Sequence, residues 1–216
     1  MKGLLIKDFY INFLNKRAAI LYIFLSFFMA FSIDGAYIVT YTTMLFGILA
    51  ISTLSYDEHD NGFPFLMSLP IKRKTYIKEK YVYIFILMLV GSVFGLIVYY
   101  LASLVKGQFF DFNEILSSLF GSILGIGVMM SIMVPIQLKY GVEKSRAAMF
   151  IIYGMVFALA LLASSFEGIR ILALRVVSLL GNSSEYLIAL VVIFICLSII
   201  LTSYVASVRI IENKEF

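Results

Sequence analysis

The densest run of ionisable side chains lies between residues 56 and 80, and it divides by sign. Tyr56-Asp57-Glu58-His59-Asp60 opens it, Asn61-Gly62 gives a turn signal, and Lys72-Arg73-Lys74 with Lys78-Glu79-Lys80 closes it. His59 is the only histidine, and together with Asp57 and Asp60 it has no recognised metal-ligand spacing. The fragment Gly141-Val142-Glu143-Lys144-Ser145 lacks both the leading glycine and the Gly-Lys pair of a phosphate loop, so ATP is not bound that way. No His-Glu-x-x-His site, Gly-x-Ser-x-Gly elbow or intramembrane acid pair occurs. Cys196 stands alone in an apolar run and forms no intramolecular disulfide, which reads as an inert thiol. The chain is therefore not expected to be an enzyme or to bind a cofactor.

What these charges offer instead is docking. Between the acidic and basic flanks lies a short apolar piece, Phe63-Pro64-Phe65-Leu66-Met67-Ser68-Leu69, stopped by Pro70. Its apolar side must be covered by a partner protein or by the membrane surface. The basic flank suits an anionic leaflet, but the acids gain nothing there, which favours a partner. An ordinary topogenic loop is the plainer alternative; it accounts for Lys72 to Lys80 and leaves the acids unexplained.

Six stretches free of Asp, Glu, Lys, Arg and His frame this loop: residues 18–33, 36–55, 81–105, 115–138, 147–163 and 186–208. A run near 20 apolar residues matches a helix crossing about 30 Å of hydrocarbon. With 62% hydrophobic content in 216 residues, the remainder is short loops, leaving no room among them for a separate soluble domain. The expected fold is all-α: one polytopic membrane domain over residues 1–216 with six transmembrane helices. The first stretch, behind its basic start, resembles a secretory signal in length, but no small-x-small cleavage pattern closes it, so a retained helix is expected. Pumps and carriers hold ionisable groups at membrane depth; these stretches hold none, so energy for active transport is expected to come from outside the bilayer.

Residues 1–17 read as an amphipathic helix in the interface plane, with Leu5, Ile6, Phe9 and Phe13 toward acyl chains and Lys7, Asn15 and Lys16 at other angles. A cytoplasmic extension of the first span is the alternative. Residues 164–185 open with Ser164, Ser165 and Glu167 as an N-cap and continue as a short apolar helix carrying Arg170 and Arg175. That helix is too short and charged to span, and is expected to dip into or lie along the outer leaflet. Asn182-Ser183-Ser184 matches a glycosylation sequon and is treated as chance. In the fourth stretch, Gly121-x-x-x-Gly125 is a close-packing pattern, and Pro135 is expected to kink the helix.

Lysine and arginine alternate from loop to loop. With both termini in the cytoplasm, fourteen fall on that side and three, Lys106, Arg170 and Arg175, on the other. The net charge of +4 thus reflects topology rather than nucleic acid. In a Cys196→Ser background, cysteines replacing Lys72 and Lys106 are expected to react with impermeant reagent from opposite faces. Reaction of both from one face would remove this orientation.

Three strings carry a family resemblance. Tyr56-Asp57-Glu58-x-x-Asn61-Gly62, followed by Leu69-Pro70-Ile71-Lys72-Arg73 and Lys80-Tyr81, is similar to the permease subunits of type-2 ABC exporters. So are Tyr140-Gly141-Val142-Glu143-Lys144-x-Arg146 after Pro135, and the opening Lys2-Gly3-Leu4-Leu5-Ile6-Lys7-Asp8. Within that group the likeness is nearest to the permeases of the phenol-soluble modulin exporter of staphylococci and its relatives. The resemblance implies six helices, an interfacial N-terminal helix, a coupling helix in residues 56–80 and a re-entrant element in residues 164–185. It implies a multi-pass permease of a bacterial plasma membrane, paired with a second permease and two separately encoded ATPase subunits, which bind the ATP and magnesium. It assigns ATPase coupling to Tyr56, Asp57, Glu58, Gly62, Phe63, Phe65, Leu69, Pro70, Lys72 and Arg73. The implied cargo is amphipathic peptides such as cytolytic or antimicrobial peptides. Alternatives are lipophilic drugs or bacteriocins, or an ATP-independent immunity or scaffold protein.

Overall fold

The computed structural model describes residues 1–14, 16–32, 35–58, 62–107, 112–165 and 185–214. Among them every regular element is helical: α1 (Lys2–Leu14), α2 (Lys16–Ser32), α3 (Tyr37–Glu58), α4 (Gly62–Ser68), α5 (Arg73–Lys106), α6 (Phe112–Ser165) and α7 (Glu185–Glu212). Four are long and apolar enough to cross a membrane: α3, α5, the part of α6 from Phe112 to Ala148, and α7 from Ala189. They coincide with the second, third, fourth and sixth expected spans. The first expected span is the 17-residue α2, which at 1.5 Å per residue reaches only about 25 Å. The fifth lies in the later part of α6, where many side chains fall outside the described residues, and the expected re-entrant element falls almost wholly outside them.

The most extensive packing is between α3 and α5. Its cause is Gly91 and Gly95 of α5, which let the backbones meet. A Cβ on Gly95 would stand 2.1 Å from Thr42 Oγ1 and 2.9 Å from Val39 Cα, and one on Gly91 2.7 Å from Phe46 Cβ. Small residues do this in membrane helices because lipid tails give no hydrophobic push between them, so close van der Waals contact must supply the attraction. Buried hydroxyls on α3 return to their own helix, Thr42 donating to the Ile38 carbonyl at 2.9 Å and Thr43 to that of Val39 at 2.7 Å. Gly121 and Gly125, by contrast, face open space: a Cβ on either meets nothing within 4 Å. Within the chain, the close-packed pair is on α5.

α6 is broken at one residue. The helix runs through Pro135, and its one non-helical residue is Gly141 (φ 82°, ψ 175°). Proline strips the hydrogen bond from the carbonyl four residues earlier. Here that carbonyl, on Ser131, accepts the hydroxyl of Ser203 on α7 instead, which removes the orphaned acceptor. Ser203 and Ser207 also bond the Tyr81 hydroxyl at 2.8 and 3.0 Å, joining α7 to α5. The outer face of α7 is bare. Its apolar stretch, of mean hydropathy 2.6, is only 6% buried, as a surface turned to lipid would be.

Candidate functional site

α1, α4, the start of α5 and the end of α7 gather at one end of the bundle around a buried set of opposite charges. α1 puts Leu4, Asp8 and Asn12, one residue per turn, toward the protein. Ile6, Phe9 and Tyr10 point outward. The helix is thus amphipathic with its polar stripe inside, and Lys7, expected among headgroups, turns inward to Asp57 and Asp8. Burial works against the Lys7 ammonium, but the two carboxylates outweigh it and hold its pKa above the ordinary lysine value.

Lys80, two turns into α5, is the centre of the set. Its three donors go to Asp8 Oδ2 on α1, Asp57 Oδ2 on α3 at 2.7 Å, and Thr53 Oγ1 at 3.1 Å. Asp57 also accepts the Tyr76 hydroxyl at 2.8 Å. A polar layer joins the same three helices: Asn12 donates to the Leu49 carbonyl at 3.2 Å and to the Tyr83 hydroxyl at 2.6 Å, and Tyr83 donates to the Asp8 carbonyl at 3.1 Å. Glu79 is fully buried, and neither of its carboxylate oxygens has a hydrogen-bond partner. Asp8 and Asp57 face Lys7 and Lys80 in opposite-charge pairs, with Glu79 buried beside them.

The coupling candidates divide between this cluster and the surface. Asp57, 4% exposed, belongs to the cluster, and Phe63 reaches it by setting its ring edge on Tyr76 at 5.7 Å between centroids. Gly62 lets α4 fold back on α3: a Cβ there would lie 2.7 Å from the Asp57 carbonyl oxygen. Arg73 donates to the carbonyls of Ile211 and Glu212 at 2.9 and 2.6 Å, closing the end of α7. Lys214 donates to the Leu138 carbonyl at 3.0 Å with its ammonium 5.1 Å over the Phe63 ring. Glu58 lies over the break in α6, where a Cβ on Gly141 would be 2.7 Å from its Oε1. Tyr56, Phe65, Leu69, Pro70 and Lys72 are exposed, Phe65 most of the apolar ones at 67%. His59 and Asp60 lie outside the described residues.

The sequence reading missed Lys7, Asp8, Asn12, Tyr76, Tyr83 and Lys80 as a unit. One signal was legible: Asp8 stands four residues from both Leu4 and Asn12, on a helix otherwise read as lipid-bound. No group of three or more potential metal ligands occurs among the described residues. The arrangement has no nucleophile aligned with a base. It can hold α4 against α3 and α5 while presenting Phe65 outward.

No curated protein and no solved structure matches the chain. A family model described as ABC-2 family transporter protein matches residues 3–212, nearly the whole length, from α1 through the end of α7. With nearly its whole length matched, the chain belongs to the ABC-2 family, as a membrane component of a transporter.

Proposed function

We propose that the chain is the permease subunit of an ATP-driven exporter, two copies or a pair of sister permeases joining two separately encoded ATPase subunits. α4 is its coupling helix, both termini are cytoplasmic, and six helices cross the membrane. The observation that carries the coupling reading is the split character of α4. Phe63 is locked onto Tyr76 and the ion cluster, while Phe65, two residues on, stands in the open with Leu69 beside it. An exposed aromatic on a braced helix suits a socket in a partner, because a rigid anchor loses little entropy on docking. A push on it passes to α1, α3 and α5 through Asp57 and Lys80. Asp57 serves here as a positioning residue, facing the chain's own lysines and not the partner.

Where an ABC ATPase is encoded beside it, the co-expressed tagged chain is expected to retain that subunit on purification. Phe65→Asp is expected to cut its retention by about tenfold or more, the scale of one interface hot spot. Thermal stability should change little, since Phe65 is exposed. Full retention by Phe65→Asp would remove α4 as the docking element. Retention of no ATPase by the unaltered chain would favour the ATP-independent reading.

The proposed cargo is amphipathic peptides, supported by the resemblance and by apolar helix faces open to lateral entry. Cells lacking the gene should become several-fold more sensitive to cytolytic peptides. Heightened sensitivity to lipophilic drugs or bacteriocins alone would reassign the cargo.

A further inference from the structure

Two hollows meet at Arg209, in the last turn of α7. One, of about 400 Å³, lies between α6 and the chain end and is lined by Lys139, Arg209, Asn213 and Lys214. The other, of about 370 Å³, runs back along α7 past Ala206, Val205, Thr202 and Leu201. The first is cationic. Lys139 and Arg209 are exposed and have no carboxylate partner among the described residues, the Lys139 ammonium resting only on the Tyr140 ring at 5.1 Å. Lys214 spends a donor on the Leu138 carbonyl and keeps its charge. Glu212, three residues beyond Arg209, faces Lys74 at 3.5 Å. The second hollow is apolar and continuous with the bare face of α7.

We propose that these hollows form one binding site for an anionic phospholipid, its headgroup phosphate between Lys139 and Arg209 and one acyl chain along Val205 and Leu201. The argument is the joining of the two surfaces. A free phosphate would fill the basic hollow and leave the groove open. A docked protein would cover the charges but not an apolar groove running up a helix long enough to span the bilayer. Only an amphiphile matches both at once, and basic hollows between helices at a membrane surface suit acidic headgroups. Each cation is expected to contribute about fivefold to binding, from roughly 1 kcal/mol per basic residue near such a headgroup. The inference does not rest on the ATPase-coupling reading.

The test uses the purified full-length chain in detergent micelles. Phosphatidylglycerol and phosphatidylcholine of identical chains are the probes, with sn-glycerol 3-phosphate as the soluble headgroup, and retention is read by native mass spectrometry. Phosphatidylglycerol should be held at least tenfold more tightly than phosphatidylcholine. Lys139→Gln with Arg209→Gln should lower its retention by about 25-fold, and Val205→Trp should lower it by blocking the groove. Should the double variant not purify, Lys139→Gln alone is expected to lose about fivefold. Equal retention of the two lipids, unchanged retention in the variants, or equal competition by glycerol phosphate would each overturn the proposal. Release of the lipid by the ATPase subunit would reassign the surface to a protein interface and overturn it as well.

Discussion

Lys80→Met should destabilise the protein by about 3–5 kcal/mol, the usual effect of removing one partner from a buried ion pair. The buried ammonium uses all three donors, on Asp8, Asp57 and Thr53. Without it Asp8 and Asp57 face each other with only Lys7 between them, beside a Glu79 that already lacks a partner. The cost is then the desolvation of stranded carboxylates more than the loss of attraction. Asp8→Asn combined with Lys80→Met should recover part of the loss, since the pair leaves together; apolar replacement of whole buried pairs is often tolerated. Thermal unfolding in detergent, followed by the folded fraction on size exclusion, measures Lys80→Met, Asp8→Asn and the double variant. A Lys80→Met protein as stable as the parent, or a double variant showing plain additivity, would mean that the cluster does not hold the helices together.

Gly95→Leu is the second large effect expected. Even the first carbon of the new side chain would overlap Thr42 Oγ1 and press on the α3 backbone at Val39. Backbone cannot give way as a flexible side chain can. The α3–α5 contact must therefore open, at a cost of about 3 kcal/mol or more, the upper range for overpacking. Gly125→Leu carries the same change in helix chemistry and meets open space, so it should remain within roughly 1 kcal/mol of the parent. Parallel melting curves of the two variants separate close approach from glycine loss as such. Equal behaviour would show that the α5 glycines are not packing sites.

How far the sequence carried the fold depended on which property was in play. Hydropathy located α3, α5, α7 and the first part of α6, because a bilayer imposes length and composition on whatever crosses it. The same rule says nothing about which glycine pair is used. Gly91-x-x-x-Gly95 and Gly121-x-x-x-Gly125 are equivalent as strings, and only the facing residues, Thr42 and Phe46 against open space, tell them apart. Pro135 was legible as a lost donor, but not that Ser203, 68 positions later, would supply the missing hydrogen bond. The acids of the second loop were legible as too many for a membrane-facing segment. Reading them all outward failed for Asp57, because its counter-ions come from the N-terminal helix and from the start of α5, just before the next span. Pairings between residues so far apart in sequence leave no local periodicity to detect.

The inward polar stripe of α1 has a practical consequence for anyone trimming this protein. The first fourteen residues resemble a detachable leader, short, basic and greasy on one side. A shortened version starting at Lys16 would strand Lys80 with one counter-ion and Tyr83 without either of its hydrogen bonds to α1. This segment is a keystone of the bundle, and affinity handles belong at the opposite terminus.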